Sequence, residues 1–272
     1  MEKAKTKLPY VLFNLEKTIY GLSCEHVLSM VILDDVTSIP RAPEYVRGVT
    51  NLRGKIISLI DMRQMLGMKS IQKEVTEFEE MMDSRKHEHI NWLSALEYSV
   101  KERQEFKLTT DPHACAFGKW YDTFKTDDFD MLKLLNKFDK PHKKIHAIAI
   151  SVKQLQEQKE YAKIEKLIDS VRDEELADMI RLFDSIVKAF KESKRDIVIV
   201  LENAKNPTGI IVDKVISIEH LKEEDQESFD VGKTEYFKGI GKRKNDSPVI
   251  LLDDFYILNT ASDINVNSLQ CV

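Results

Sequence analysis

With 272 residues, 42% of them hydrophobic and 32% charged, the chain is long enough for two domains and apolar enough to bury a core, so disorder is not its default state. Its formal net charge of -5, with both signs mixed, excludes a protein built mainly to cover nucleic-acid phosphates, and the run Lys242-Arg243-Lys244 is too short to alter that. No apolar stretch approaches the roughly 20 residues that span a bilayer, and the basic start is followed by an apolar stretch broken by Pro9 and Asn14, without the cleavage site of a secretory signal; the expectation is a soluble, cytoplasmic protein.

Three cysteines, Cys24, Cys115 and Cys271, are odd in number and far apart, which argues against a disulfide framework. Cys24 beside an apolar strand end reads as buried packing, and Cys271 falls in a polar tail, residues 261–272, expected to be mobile. Glycine and proline divide the chain. Between Lys69 and Asn206 there is one glycine, Gly118, and two prolines, Pro112 and Pro141; the other eight glycines and five prolines lie in the flanks. Helix is therefore expected inside and turn-rich strand outside.

Before Gly67 the segments are short and rich in β-branched and aromatic residues. Tyr10 to Leu15 and Thr18 to Leu22 read as strands around Glu16-Lys17, and Val49 to Leu52 and Lys55 to Asp61 as two more around Arg53-Gly54. The middle changes to a helical period. Glu165, Ile168 and Val171 with Leu167 and Ile164 mark one amphipathic face, and Leu176, Met179, Ile180, Phe183, Ile186, Val187 and Phe190 another. Asp111-Pro112 and Asp139-Lys140-Pro141 look like helix starts, where proline is tolerated in the first turn. Four helices are expected, roughly over 73–106, 112–137, 141–169 and 173–194. Four antiparallel helices return the chain to where it began, so the bundle is able to sit as an insertion between two strands of a β domain. After Arg195 strands return at Asp196 to Glu202, Ile210 to Ile218 and Pro248 to Leu252, with a turn at Asn206-Pro207-Thr208-Gly209. Frequent turns without intervening helices suggest small twisted barrels.

Both tryptophans and five of the seven histidines fall between His87 and His146. His142 and His146 are four apart, so one helix would present both imidazoles on one side. With His89 in the first helix and Cys115 near the start of the second, a bundle can gather three imidazoles and a thiolate, a complete tetrahedral shell for zinc. Oxygen-seeking magnesium and calcium suit such a set less well. Spacing alone leaves the alternative that both histidines are solvated and Cys115 is a small core residue. It does not choose between His87 and His89; His113 is a further decoy, two residues from Cys115 and so on the other side of a helix.

The ordered pattern His89-x-x-Trp92, Cys115-x-Phe117-Gly118-x-Trp120-Tyr121, His142-x-x-x-His146 resembles the chemoreceptor zinc-binding (CZB) domain, over roughly residues 75–193. The resemblance implies that His89, Cys115, His142 and His146 are zinc ligands, with Trp92, Gly118, Trp120 and Tyr121 packing around them. It further implies a helical bundle, usually homodimeric, that answers to zinc or to oxidation of Cys115. Residues 8–68 resemble the first half of the CheW-type chemotaxis coupling proteins through Val46-Arg-Gly-Val-Thr-Asn-Leu-Arg-Gly54 and Ile56 to Arg63. Residues 196–258 resemble the second half through Asp196-Ile-Val-Ile-Val200, Gly209 to Val215, Tyr236 to Gly241 and Val249 to Leu252. One departure is Ser58, where the family usually has proline, which would loosen that strand.

The resemblance thus implies an α+β multidomain chain: a CheW-like double SH3-like β-barrel over 8–68 and 195–260, interrupted by a zinc-binding four-helix bundle over 72–194. Its expected partners are a CheA-type histidine kinase and the cytoplasmic tip of a methyl-accepting chemoreceptor, met in the cytoplasm at membrane receptor arrays. Arg53 matches a family arginine near those contacts, whereas Asn51 and Gly54 suit turn formation. The function expected is a non-enzymatic adaptor regulated by zinc or oxidant. Two alternatives stand beside it. Zinc is purely structural and the bundle only dimerises; or the chain is a zinc hydrolase, which the fourth ligand and the lack of a His-Glu-x-x-His motif disfavour.

Overall fold

The computed structural model describes residues 9–33, 35–203, 207–223 and 235–262. In chain order the first part holds β1 (Tyr10–Leu15), β2 (Thr18–Ser23), β3 (Val27–Ile32), β4 (Val46–Leu52), β5 (Lys55–Asp61) and the short α1 (Met62–Met65). Helices follow: α2 (Ile71–Lys101), α3 (Ala116–Thr123), α4 (Phe129–Glu157), α5 (Tyr161–Val171) and α6 (Ala177–Ser193). The last part holds β6 (Ile197–Leu201), β7 (Thr208–Val212), β8 (Lys214–Glu219), β9 (Lys222–Glu223), β10 (Phe237–Lys242), β11 (Pro248–Leu252) and α7 (Asp254–Ser262). Gln72–Lys194 forms one compact unit, and the described residues on either side of it form the other. Among the described residues no helix is long and apolar enough to cross a membrane.

The β unit has two sheets, ordered β8-β1-β2-β11-β10-β9 and β3-β6-β7-β5-β4. Each mixes strands from before and after the helices, so neither half closes a sheet alone. The junctions are β1 with β8, β2 with β11, β3 with β6 and β5 with β7. Alternation along the strands serves two cores at once. In β6, Ile199 and Leu201 face the larger core while Val198 and Val200 face a smaller one; in β1, Val11, Phe13 and Leu15 face the first and Tyr10 and Leu12 another. Strands buried on both faces read as continuous apolar runs, which is why these segments lack polar alternation. An ion pair also ties α1 to the β7–β8 junction: the buried Arg63 guanidinium donates to both carboxylate oxygens of the part-buried Asp213, at 2.7 and 2.5 Å.

Ser58 sits inside this ladder, opposite Thr208 across β5 and β7, with the two hydroxyls 3.5 Å apart and buried. The turn expected at Asn206 to Gly209 is a strand from Thr208, and the single run Ile210 to Ile218 is two strands parted at Asp213. β3 was not anticipated, although Val27 to Ile32 alternates in burial along its length.

In the helical unit the helices differ from their expected limits. α3 starts at Ala116, not at Pro112, because the Cys115 sulfur caps it. α4 starts at Phe129, where the Asp128 carboxylate accepts the Met131 N–H at 2.9 Å, and runs through Pro141. Proline there leaves the Lys137 carbonyl without its helical donor, and Lys137 is exposed to water. α4 ends near Glu157, with Lys159 at φ 59° and the Glu160 amide returning to the Leu155 carbonyl at 3.0 Å. α5 and α6 are not separate helices: a π turn, Arg172–Leu176, joins them. The unit's ends lie side by side, since the Lys194 ammonium is 2.8 Å from the Glu74 carboxylate.

Candidate metal centre

Three helical segments bring four ligand atoms together. α2 supplies His89, α4 supplies His142 and His146 one turn apart, and Cys115 stands at the N-terminus of α3; all four ligand atoms lie within 4.8 Å of one another. The Cys115 Sγ is 3.3 Å from His142 Nε2 and 3.9 Å from His89 Nε2. The edges of a tetrahedral zinc shell with ordinary bond lengths are about 3.3 to 3.6 Å, so the first separation already lies in that range and the second needs only a small contraction. The three rings stand at steep angles to one another, 68°, 89° and 87°. That is how three imidazoles aim lone pairs at one point.

Two of the four, His89 and Cys115, are oriented from behind. His89 Nδ1 lies 2.7 Å from the Arg85 carbonyl, which places the proton on Nδ1 and leaves Nε2 facing inward as an acceptor. Cys115 Sγ accepts the Gly118 N–H at 3.1 Å, and its thiol donates to the Pro112 carbonyl at 3.2 Å. Burial, ahead of the neighbouring imidazoles, pushes His142 down to about 3, and burial with His89 pushes His146 down to about 4, against the pull of the Thr109 carbonyl. His89 is lowered for the same first reason. Neutral imidazoles are the ligand form. Burial raises the Cys115 thiol, opposed by the amides of Gly118 and Phe117.

Neither ring nitrogen of His146, a side chain 1% exposed, makes a hydrogen bond of ordinary geometry, the Thr109 carbonyl acting on it only as a looser contact. An inward-facing imidazole nitrogen in a core costs free energy unless something else takes its lone pair. With three nitrogens and one sulfur converging, Zn2+ fits the donor set, and the set is too soft for magnesium or calcium.

The wall is aromatic. Phe117 meets His89 and His142 edge to face at 5.9 and 5.0 Å, and Phe138 and Phe183 pack behind it. Trp92 lies 4.9 Å from the His146 ring and donates its indole N–H to Thr109 at 2.8 Å. Tyr121 packs on Phe117 and donates its hydroxyl to the Leu135 carbonyl at 3.1 Å. Trp120 packs among Phe78, Phe117 and Phe124. Gly118 is forced: a Cβ there would lie 1.8 Å from the Pro112 carbonyl oxygen.

His87 and His113 are exposed and paired with Asp83 and Asp122, outside the cluster. Sequence reasoning passed over Arg85, Thr109 and Phe183; the first two act through carbonyls, which carry no residue signature. In the β unit, Arg53 and Gly54 are the two central residues of the β4 to β5 hairpin, at φ 53° and 83°, and Asn51 Oδ1 accepts the Gly54 N–H at 2.9 Å. All three are exposed. Cys24 is half-buried, and Cys271 lies outside the described residues, as do residues 263–272 of the expected tail, whereas Ala261 and Ser262 end α7. Glu25, His26 and Asp254 form a second, looser group, with His26 Nε2 3.7 Å from the Asp254 carboxylate.

A two-sheet β module assembled from both ends of a chain, with a helical His3Cys bundle between them, defines an α+β chain with an inserted metal-binding type of domain. A family model of the CheW-like domain matches residues 9–85 and 147–262, and one of the chemoreceptor zinc-binding domain matches residues 89–153. The chain belongs to the CheW-like domain family, with a chemoreceptor zinc-binding domain set within it. It is 39% identical over 54 residues to the chemotaxis protein CheW of Klebsiella aerogenes, covering 20% of this chain and 32% of that protein. It is 36% identical over 64 residues to the chemotaxis protein CheW of Treponema pallidum, covering 24% of this chain and 38% of that protein. The match thus spans about a third of each relative's length. The crystal structure of the scaffolding protein TtCheW from Thermoanaerobacter tengcongensis aligns with TM-score 0.41 and 16% identity, over 91% of this chain and 89% of that one.

Proposed function

We propose that this chain is a non-enzymatic chemotaxis adaptor that couples chemoreceptors to a CheA-type histidine kinase, and that its inserted bundle binds Zn2+ through His89, Cys115, His142 and His146. The observation that carries the reading is the convergence of these four side chains in a chain that is otherwise a CheW-like module. Its place is the cytoplasm, at receptor arrays, with Arg53 at the exposed hairpin tip as a contact to kinase or receptor. When bound, zinc supplies a cross-link between three helical segments and holds Cys115 as thiolate. Four protein ligands leave no position for a reactive water, which argues against hydrolysis.

Cys115 is half-buried while the three histidines are buried, so it is the ligand most open to small oxidants. With a peroxide, the sulfur lone pair attacks one oxygen, the O–O bond breaks and hydroxide or alkoxide leaves. Sulfur, losing two electrons, becomes a sulfenic acid. The capping bond to Gly118 then changes character and the start of α3 is released.

The rival reading, structural zinc in a bundle that only dimerises, draws on the closed aromatic wall. Kinase and receptor-tip affinity should be measured with and without a zinc chelator, with metal content of wild type against His142→Ala and the mass of the oligomer. Zinc-dependent affinity supports control. Unchanged affinity with a bundle that unfolds on chelation supports the structural reading, and wild type without zinc overturns both.

A further inference from the structure

The apolar register of the last helix slips once. Its buried apolar positions run Ile164, Ile168, Val171, then Leu176, Met179, Phe183, Ile186 and Phe190, in steps of three and four except for one step of five, from Val171 to Leu176. In a regular helix each residue adds about 100°, so one extra residue would rotate everything after it off the core. The π turn takes up that residue and keeps Phe183 against His89 and Phe117, at 6.2 and 5.1 Å.

A π turn is rare and tends to sit at functional sites, and two ion pairs reach this one from neighbouring helices. Arg172 pairs with Glu97 of α2, and Glu175, 9% exposed, pairs with Lys144 of α4. Lys144 stands between His142 and His146, and Glu97 lies eight residues beyond His89 on the same helix. The two helices that clasp the π turn are therefore the two that supply the three imidazoles.

We propose that the π turn is a joint coupled to the metal centre. Closing the four ligands on zinc fixes α2 and α4 at the separation that lets both clasps close. Loss of the metal, or of the Cys115 ligand, opens the clasps, loosens the π turn and frees α6 to turn about its axis. This rests on the reading of the four side chains as a zinc site. It adds the element that moves.

Hydrogen exchange of the full chain, zinc-loaded and after chelation, tests it. The amides of 172–178 should exchange at least about tenfold faster after chelation, and more so than those of 184–190. Coupling is reciprocal, so Glu175→Gln should weaken zinc about fivefold, while Glu192→Gln, exposed near the end of α6 and outside the joint, should leave affinity unchanged. If Glu175→Gln does not fold, the wild-type exchange decides. Equal exchange with and without zinc, a uniform rise over all helices, or equal zinc affinity in a folded Glu175→Gln variant overturns the joint alone. Wild type that takes up no zinc overturns the metal reading beneath it.

Discussion

Gly118 and Pro112 meet backbone to backbone, so closely that a methyl group on Gly118 would stand 1.8 Å from the Pro112 carbonyl oxygen. The same two residues hold the Cys115 sulfur, one by its amide and the other by its carbonyl. Space and hydrogen bonding thus place the sulfur together. Gly118→Ala should push the 112–115 turn outward and lower zinc affinity by about 10- to 100-fold, the usual loss when a ligand's support is removed. Competition with a colorimetric zinc chelator measures it. Affinity within twofold of wild type would mean that the turn relaxes without moving Cys115.

The buried imidazoles predict a pH window for the metal-stripped protein. His142 and His146 titrate near 3 and near 4 in the folded chain, both driven down mainly by burial, and near 6.5 when unfolded. Below the unfolded value the denatured chain binds protons that the folded chain refuses, so stability is full above about pH 6.5 and is lost as pH falls, down to about 4 for His146 and about 3 for His142. Each group contributes at most about 1.4 kcal/mol per pH unit across that window. Denaturant melts of chelated protein at pH 7.5, 6 and 5 should show falling stability, and His146→Phe should flatten the slope. A flat profile in wild type would place these imidazoles in water.

Much of this was legible in residue types, and the failures have physical causes. Two strands joined by Arg53-Gly54 were readable because the turn needs positive φ at both central residues and glycine is one of them. The ends of α2 and α4 were not, because Arg103 and Lys159 take the left-handed positions, at φ 54° and 59°, where glycine would have marked the stop. Pro141 misled in the other direction: beside Asp139 it imitates a helix start, yet the capping carboxylate is Asp128, thirteen residues earlier. The two apolar faces either side of residue 172 suggest two helices, ending near 169 and starting near 173, although a π turn, Arg172–Leu176, joins them without a break. Spacing alone leaves His87 and His89 open; the ordered resemblance singles out His89, Cys115, His142 and His146, the four side chains that stand together in the bundle. Their supports were not legible, since a carbonyl from Arg85 or Thr109 belongs to every residue type.

Arg63 and Asp213 come from opposite sides of the inserted helices and meet in a two-pronged pair, with the Glu16 N–H also given to Asp213 at 2.6 Å. Removing the carboxylate takes from the buried guanidinium its two-pronged partner and leaves it only weaker contacts, among them the charge of Asp61. Asp213→Asn should destabilise the β unit by about 3 kcal/mol, read as a shift in denaturant midpoint. Zinc content should not change, because the four candidate ligands all lie in the other unit. Loss of zinc together with stability would reveal that the two units unfold as one.

Arg53 separates fold from function at the hairpin tip. Its φ of 53° strains a side chain with a Cβ by about 1 kcal/mol, and glycine there removes the strain but adds freedom to the unfolded chain of about the same size. The two effects offset, so Arg53→Gly should leave stability within about 0.5 kcal/mol of wild type. If this exposed arginine is a partner contact, the same variant should bind kinase or receptor tip at least about tenfold more weakly, as loss of an interface arginine often does. Asn51→Ala serves as the contrast. It removes the bond that holds the Gly54 amide, so it should lower stability by about 1 kcal/mol and binding only as far as the turn loosens. Calorimetric titration beside thermal melting reads both quantities for each variant. Undiminished binding by Arg53→Gly would make the arginine a solvated turn residue and move the partner contact elsewhere on the β unit.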